Sequence, residues 1–232
     1  MHNLVKHIGI IGCSAEGVAL CYKTICIEAQ EKLFKYRHPE ITIHTPPLSD
    51  YMQHIWNGNW EGVAELMLNS AKIVANAGAD FAICPDNTIH QAFDLMISKS
   101  PIPWLHIAKV VGEEAKQKRF KHLGILGTKY LLNSPVYSDA LKKVGITCEI
   151  PGVPDQDKID KIIFVELVNG VFSEESRKEF IKIIQKLAKN GCDAVVLGCT
   201  EIPLLVDPDD CPLPTLDSTR LLARAAIKKA LE

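Results

Sequence analysis

The chain carries one design twice. Asp80 to Thr88 reads Asp-Phe-Ala-Ile-Cys-Pro-Asp-Asn-Thr, and Asp193 to Glu201 reads Asp-Ala-Val-Val-Leu-Gly-Cys-Thr-Glu. Each begins on an acid, runs through a short apolar stretch, breaks, and ends on a proton-active side chain followed by a polar pair. Ala194 to Leu197 is apolar throughout and rich in β-branched residues, which reads as a strand buried on both faces. Gly198 allows a sharp exit. Cys199 then falls at the carboxyl end of the strand, and Thr200-Glu201 open the next helix. Asp86-Asn87-Thr88 hold the matching place in the first copy. Two more landmarks recur in the same order: Gly9 with Gly124, and Pro101 with Pro212. His7 to Gly12 echoes His122 to Gly127, and Pro101 to His106 echoes Pro212 to Asp217. The period is too long for a solenoid.

The rest of the pattern alternates strands with helices. Strands are expected at His7–Gly12, Ile41–His44, Phe81–Cys84, Ile102–Ile107, His122–Gly127, Ile146–Ile150 and Ala194–Leu197. Helices are expected at Val18–Phe34, Trp60–Ala77, Thr88–Lys99, Val111–Gln117, Ser134–Val144, Lys158–Asn169, Ser173–Asn190 and Thr219–Leu231. Tyr51–Gly58 is a lid or short helix, and Pro151–Asp157 a loop. Such alternation implies parallel sheets covered by helices. The expected fold is α/β, with two similar lobes related by a pseudo-twofold. The first lobe is 1–108 with 209–232, and the second is 109–208. Ligands of open α/β sheets bind at the carboxyl ends of strands. That places Cys13-Ser14, Asp86-Asn87, Thr128 and Cys199-Thr200 around one cleft between the lobes.

Composition narrows the function classes. The 232 residues suffice for two small lobes with real cores. The formal net charge is −2 without a basic block, which argues against nucleic acid as the main partner. No apolar stretch is long enough to span a bilayer, and Met1-His2-Asn3-Leu4 runs straight into a strand-like segment, so no membrane partner and a cytoplasmic location are expected. The eight cysteines do not sit in a short, loop-rich chain and include no Cys-x-x-Cys pair, so no disulfide framework is expected. No His/Cys/Asp group has metal-ligand spacing, Gly12–Gly17 is not a dinucleotide fingerprint, and no P-loop lysine follows a glycine run. Neither metal nor cofactor is expected.

What remains is proton chemistry. If Asp86 and Cys199 stand on opposite sides of one bound carbon, one removes a proton and the other returns it to the opposite face. That arrangement inverts a stereocentre next to a carboxylate. Backbone N–H groups at Asn87-Thr88 and Thr200-Glu201 would hold the charge of the carbanion. Ser14, Asn87, Thr88, Thr128 and Thr200 are the expected substrate contacts.

The residues Gly9-Ile10-Ile11-Gly12, Asn87-Thr88-Ile89-His90, Gly124-Ile125-Leu126-Gly127-Thr128, Lys158–Gly170 and above all Gly198-Cys199-Thr200-Glu201-Ile202 resemble the aspartate/glutamate racemase family, over nearly the whole chain. The resemblance implies a two-lobed α/β homodimer that racemises an amino acid with two bases and no cofactor. It implies Asp86 and Cys199 as those bases. This chain departs from the family in placing Asp86 where typical members have Cys and some have Thr. Aspartate-specific members carry a basic residue in the lid loop and another before the glycine matching Gly170. Here Asp50–Ile55 contains no Arg or Lys and Val168-Asn169 no charge, leaving Lys158 or Lys161 as substitutes.

Blander roles stand beside these. Asp86 could serve as a helix N-cap. Cys84, like Cys13, Cys21, Cys26, Cys148 and Cys192, fits an apolar filler. His90 fits a packed histidine, Ser14 and Thr128 fit turn residues, and Tyr51, Trp56 and Trp60 fit ordinary aromatic packing. Three readings follow. One is a two-base racemase. Another is a one-thiol decarboxylase or isomerase in which Asp86 merely orients. The third is a catalytically weak amino-acid-binding protein. Chiral chromatography, CO₂ release and binding without turnover tell them apart.

Overall fold

The structure, a computed structural model, describes residues 5–232. Met1-His2-Asn3-Leu4, expected to lead straight into the first strand, lie outside the described residues. In chain order the elements are β1 (Ile8–Ile11), α1 (Ala15–Glu28), β2 (Ile41–His44), α2 (Leu48–Trp56), α3 (Trp60–Asn76), β3 (Phe81–Ile83), α4 (Phe93–Met96), β4 (Trp104–Leu105), α5 (Ile107–Gln117), β5 (His122–Leu126), α6 (Lys129–Leu132), α7 (Val136–Lys142), β6 (Thr147–Glu149), α8 (Val153–Val165), α9 (Glu174–Lys189), β7 (Ala194–Leu197), α10 (Ile202–Leu205), β8 (Thr215–Asp217) and α11 (Ser218–Leu231). Among the described residues, no helix is long and apolar enough to cross a membrane.

The strands form two four-stranded parallel sheets, ordered β2-β1-β3-β4 and β6-β5-β7-β8. The identical order is the structural form of the sequence repeat. Every residue of β1, β3 and β7 is buried, whereas β2 and β6 keep partly exposed residues. Burying one Val, Leu or Ile side chain fully is worth about 1.5–3 kcal/mol. The uninterrupted apolar runs therefore take the central positions, and the mixed ones the edges. The acid that opens each repeat has a defined task. Asp80 Oδ2 accepts from His7 N at 2.7 Å, and the Asp193 carboxylate accepts from Lys121 N at 2.6 Å and His122 N at 3.1 Å. Each acid thus fixes where the neighbouring central strand begins.

The chain divides into two units. One comprises residues up to Ile107 together with Thr219–Glu232, and the other is Ala108–Ser218. The expected first lobe includes 209–232, but β8 pairs with β7 in the register Val195↔Thr215, so the second unit runs on to Ser218. Consecutive elements prefer to be neighbours, and β8 follows β7 as β4 follows β3. The helix after each fourth strand is what changes unit. Helix α11 returns to the first, where Lys6 N donates to Ala230 O at 2.9 Å and Arg224 pairs with Glu28 at 2.7 Å. Helix α5, beyond its first residue, belongs to the second, where Gly112 faces Leu141 and Val144.

Two local expectations are corrected. Pro151–Asp157 is not all loop, because α8 starts at Val153 with Pro154 in its first turn, where a missing N–H costs nothing. Thr88–Lys99 is not one helix. It is a 3-10 turn at Thr88–Ala92, then α4, then a second 3-10 turn at Ile97–Lys99.

Candidate active site

In the first unit the carboxyl ends of β1 and β3, which are paired neighbours, meet at Asp86. The turn after β1 exposes the N–H groups of Cys13 and Ser14, and both donate to Asp86 Oδ2, at 3.1 and 3.2 Å. Ser14 also caps α1, its side chain accepting from Gly17 N at 3.3 Å. Asp86 is therefore bonded to the turn after the adjacent strand. The 3-10 turn that follows it has Asn87 as its N-cap, with no side-chain capping bond. This is not the helix-cap role open to Asp86 from sequence.

His90 fixes the backbone of Asp86. Its Nδ1 lies 2.9 Å from Asp86 O, and its Nε2 accepts from Ile107 N at 3.4 Å. A ring nitrogen facing a backbone N–H must carry a lone pair, so Nδ1 carries the proton and donates it to Asp86 O. Burial lowers the His90 pKa to about 4 against the opposing pull of the Asp86 carbonyl. The imidazole is thus a neutral strut. Cys84 is fully buried, its thiol pushed well up by burial and then by the Asp86 charge. Tyr51, on α2, is also fully buried, and its phenol is pushed far up by burial first and then by Cys84, Cys13 and Asp86. Tyr51 packs in this core, Trp60 is half-buried and Trp56 is exposed.

In the second unit the same corner is built from β5 and β7. Gly198 N donates to Leu126 O at 2.8 Å. A Cβ at Gly198 would come within 2.6 Å of Leu126 O and 2.8 Å of Leu131 Cδ2, so this exit requires glycine. Cys199 follows, half-buried and packed against the apolar cluster that includes Ile202 and Leu205 of α10. Its Sγ donates to Glu201 Oε2 at 2.9 Å, and Glu201 is 3% exposed. Thr200 is buried beside it. Thr128, at the end of β5, caps α6 by accepting from Leu131 N at 3.3 Å.

The structure thus gathers Ser14 and Asp86 at one strand-end corner of the first unit, with Asn87 and Thr88 opening the turn beyond. Thr128, Cys199 and Thr200 lie on the turns that leave β5 and β7 in the second. Asp86 and Cys199 each sit six residues after the acid that opens their repeat, Asp80 and Asp193. The sequence points to Glu201 only through its backbone N–H. The signal for its side chain was the Cys-x-Glu spacing, which lets a residue turning into a helix fold back on the thiol. Lys158, a candidate for the missing basic side chain, pairs instead with Glu179 on α9 at 3.3 Å. What each corner offers chemically is one proton carrier, held by neighbours that set its position.

Comparison with known proteins points the same way. A curated glutamate racemase of Aquifex aeolicus is 27% identical over 148 residues, 62% of this chain and 55% of the racemase, so the match spans about half that relative's length. The broad specificity amino-acid racemase RacX of Bacillus subtilis is 21% identical over 201 residues, 84% of this chain and 83% of the relative. Among solved structures, a Yersinia pestis protein described as a candidate Asp/Glu racemase superposes with a TM-score of 0.90 at 32% identity, covering 98% of this chain and all of that one. An aspartate racemase homologue of Pyrococcus horikoshii superposes at 0.85 with 29% identity, covering 98% of this chain and 100% of that one. A profile described as Asp/Glu/Hydantoin racemase matches residues 8–226, and the chain belongs to that family.

Proposed function

We propose that this protein racemises an amino acid without a cofactor, with Asp86 and Cys199 exchanging the α-proton on opposite faces of the substrate. One observation carries the reading. A duplicated fold presents one proton carrier per copy at the equivalent strand end, Asp86 after β3 and Cys199 after β7. Inversion at a carbon needs one such group for each face.

The proton inventory balances. In one direction the Cys199 thiol passes its proton to Glu201 and becomes the thiolate, which then takes the α-proton. Asp86, in its acid form, returns a proton to the other face, after which solvent takes the proton held on Glu201 and reprotonates Asp86. The reverse direction exchanges the roles. Glu201 acts on the reacting sulfur by accepting its hydrogen bond. The Cys13 and Ser14 N–H groups hold the Asp86 carboxylate in place. Ser14, Asn87, Thr88, Thr128 and Thr200 supply the polar contacts to the substrate's ammonium and carboxylate. Aspartate and glutamate are the first substrates to test. The lack of Arg or Lys in Asp50–Ile55 and of any charge in Val168-Asn169 directs the panel to neutral amino acids as well. The protein acts as a cytoplasmic homodimer.

The experiment is α-deuterium incorporation in D₂O by proton NMR, over a panel of L- and D-amino acids, for wild type and Cys199→Ala. Exchange from both enantiomers in the wild type is expected, and in the variant loss of exchange from the enantiomer whose α-proton Cys199 takes, with no racemisation of either. Unchanged exchange in Cys199→Ala overturns the site.

A second reading draws on the bonds from Cys13 and Ser14 to Asp86. A carboxylate engaged by two backbone donors suits an orienting role. Cys199 would then protonate one face only, as in a decarboxylase or one-sided isomerase. CO₂ release from a substituted malonate, with no racemisation, marks that outcome.

A further inference from the structure

In the second unit, ligand atoms of His122, Glu149 and Cys192 lie within 4.8 Å of one another. His122 opens β5, Glu149 closes β6, and Cys192 lies just before β7. Cys199, by contrast, follows the carboxyl end of β7. The separations in sequence conceal the trio, which is why spacing predicted no metal site.

The surroundings set the trio's chemistry. His122 Nδ1 lies 2.8 Å from Thr147 Oγ1, and that hydroxyl donates its own proton to Lys121 O at 3.1 Å. Thr147 must therefore accept from the ring, so Nδ1 carries a proton and Nε2 is the atom turned inward. Nε2 faces Glu149 Oε2 at 3.5 Å. The other oxygen of Glu149 accepts from Asn190 Nδ2 at 2.5 Å, which aims Oε2 at the ring. A histidine fixed through its far nitrogen and a carboxylate fixed through its far oxygen are the outer-shell arrangement of metal ligands. The Glu149 carboxylate in the trio favours a cation at this point.

The other half of the repeat provides a comparison. His7 matches His122, and the sheet register matches Thr42 with Glu149 and Ala79 with Cys192. There His7 Nε2 simply bonds Thr42 Oγ1 at 2.9 Å. The histidine is thus common to both units, and two ligand-type residues stand beside it in one.

We propose that His122, Glu149 and Cys192 bind a zinc ion that ties β5, β6 and the start of β7 together. The donors are imidazole, carboxylate and thiolate, a borderline set that suits Zn²⁺. Donor atoms around tetrahedral zinc lie roughly 3.3–3.6 Å apart, given Zn–N near 2.0 Å and Zn–S near 2.3 Å, so the trio closes by about 1.5 Å at most. His122 and Glu149 keep 28% and 32% of their side chains exposed, which leaves the fourth position to water. Cys192 releases its proton to solvent on binding.

The test uses the full chain, reduced and stripped with a chelator, then titrated with Co²⁺ and back-titrated with Zn²⁺. A thiolate-to-cobalt charge-transfer band that zinc abolishes is expected. It should vanish in Cys192→Ser and persist in Cys148→Ser, Cys199→Ala and His7→Gln. Asn190→Ala, which frees Glu149 to rotate, should weaken zinc binding about tenfold or more. Zinc should also raise the melting temperature of wild type and not of His122→Gln, a variant that carries the test if Cys192→Ser folds poorly. A missing band in wild type, or one that survives in Cys192→Ser, overturns the proposal and leaves a plain polar contact between His122 and Glu149. A zinc shift retained in His122→Gln overturns it equally.

Discussion

The Cys199 thiol donates to Glu201 Oε2 at 2.9 Å, and Glu201 is buried. A buried carboxylate two residues from a strand-end thiol is placed to take its proton. Glu201→Gln keeps the size and one acceptor but removes the base. Exchange from the enantiomer whose α-proton Cys199 takes should fall about 10²-fold, within the usual range for a lost acid–base group, with little change in melting temperature. Initial rates in D₂O beside a thermal melt check this, and full activity in the variant assigns Glu201 to packing.

Thiol reactivity should separate the two strand-end cysteines. Cys199 is half-buried, whereas Cys84 is fully buried with its thiol pushed well up by burial and then by Asp86. The thiolate is the reactive form. Iodoacetamide should label Cys199 ahead of Cys84 in peptide maps, and inactivation should follow labelling of Cys199. Cys84→Ala should remain active. Inactivation that tracks Cys84 instead would move the site.

Asp86→Asn tests proton transfer with the hydrogen-bond frame kept, since the Asn oxygen still accepts from the Cys13 and Ser14 N–H groups. Exchange should be lost from one enantiomer far more than from the other. Asp86→Cys should restore exchange on both faces. Asp86→Ala strips the two N–H groups of their partner and should also cost about 1–3 kcal/mol of stability. Chemical denaturation distinguishes that loss from the catalytic one. Equal residual exchange on both faces in Asp86→Asn, with no rescue by Cys, favours the one-thiol enzyme.

His90 makes stability depend on pH. Its folded-state pKa is lowered to about 4 by burial, against an ordinary value of 6.5. The unfolded chain therefore binds the proton more readily. The contribution is fully present above pH ~6.5 and is lost as pH falls towards ~4, about 3 kcal/mol in all. His90→Gln, which can still donate to Asp86 O and accept from Ile107 N, should remove this component. Urea midpoints between those limits should fall more steeply in wild type than in the variant, and parallel curves would refute the assignment.

Sequence alone determined the repeat, the central strands and the strand-end positions of Asp86 and Cys199. Those features are local: unbroken apolar runs such as Ala194–Leu197 must be buried on both faces, and an acid six residues upstream marks the register. The family resemblance was legible for the same reason, through contiguous stretches such as Gly198–Ile202. The tertiary structure decided whatever depends on which strand lies beside which. It set Cys13 and Ser14 on the Asp86 carboxylate because β1 and β3 are paired, although some seventy residues separate them. It assigned β8 to β7 and sent α11 to the other unit, a choice between two apolar surfaces that periodicity does not distinguish. It also brought His122, Glu149 and Cys192 within 4.8 Å. Parallel pairing joins residues that lie far apart in the chain, so their meeting is a property of the sheet and leaves no mark in local spacing.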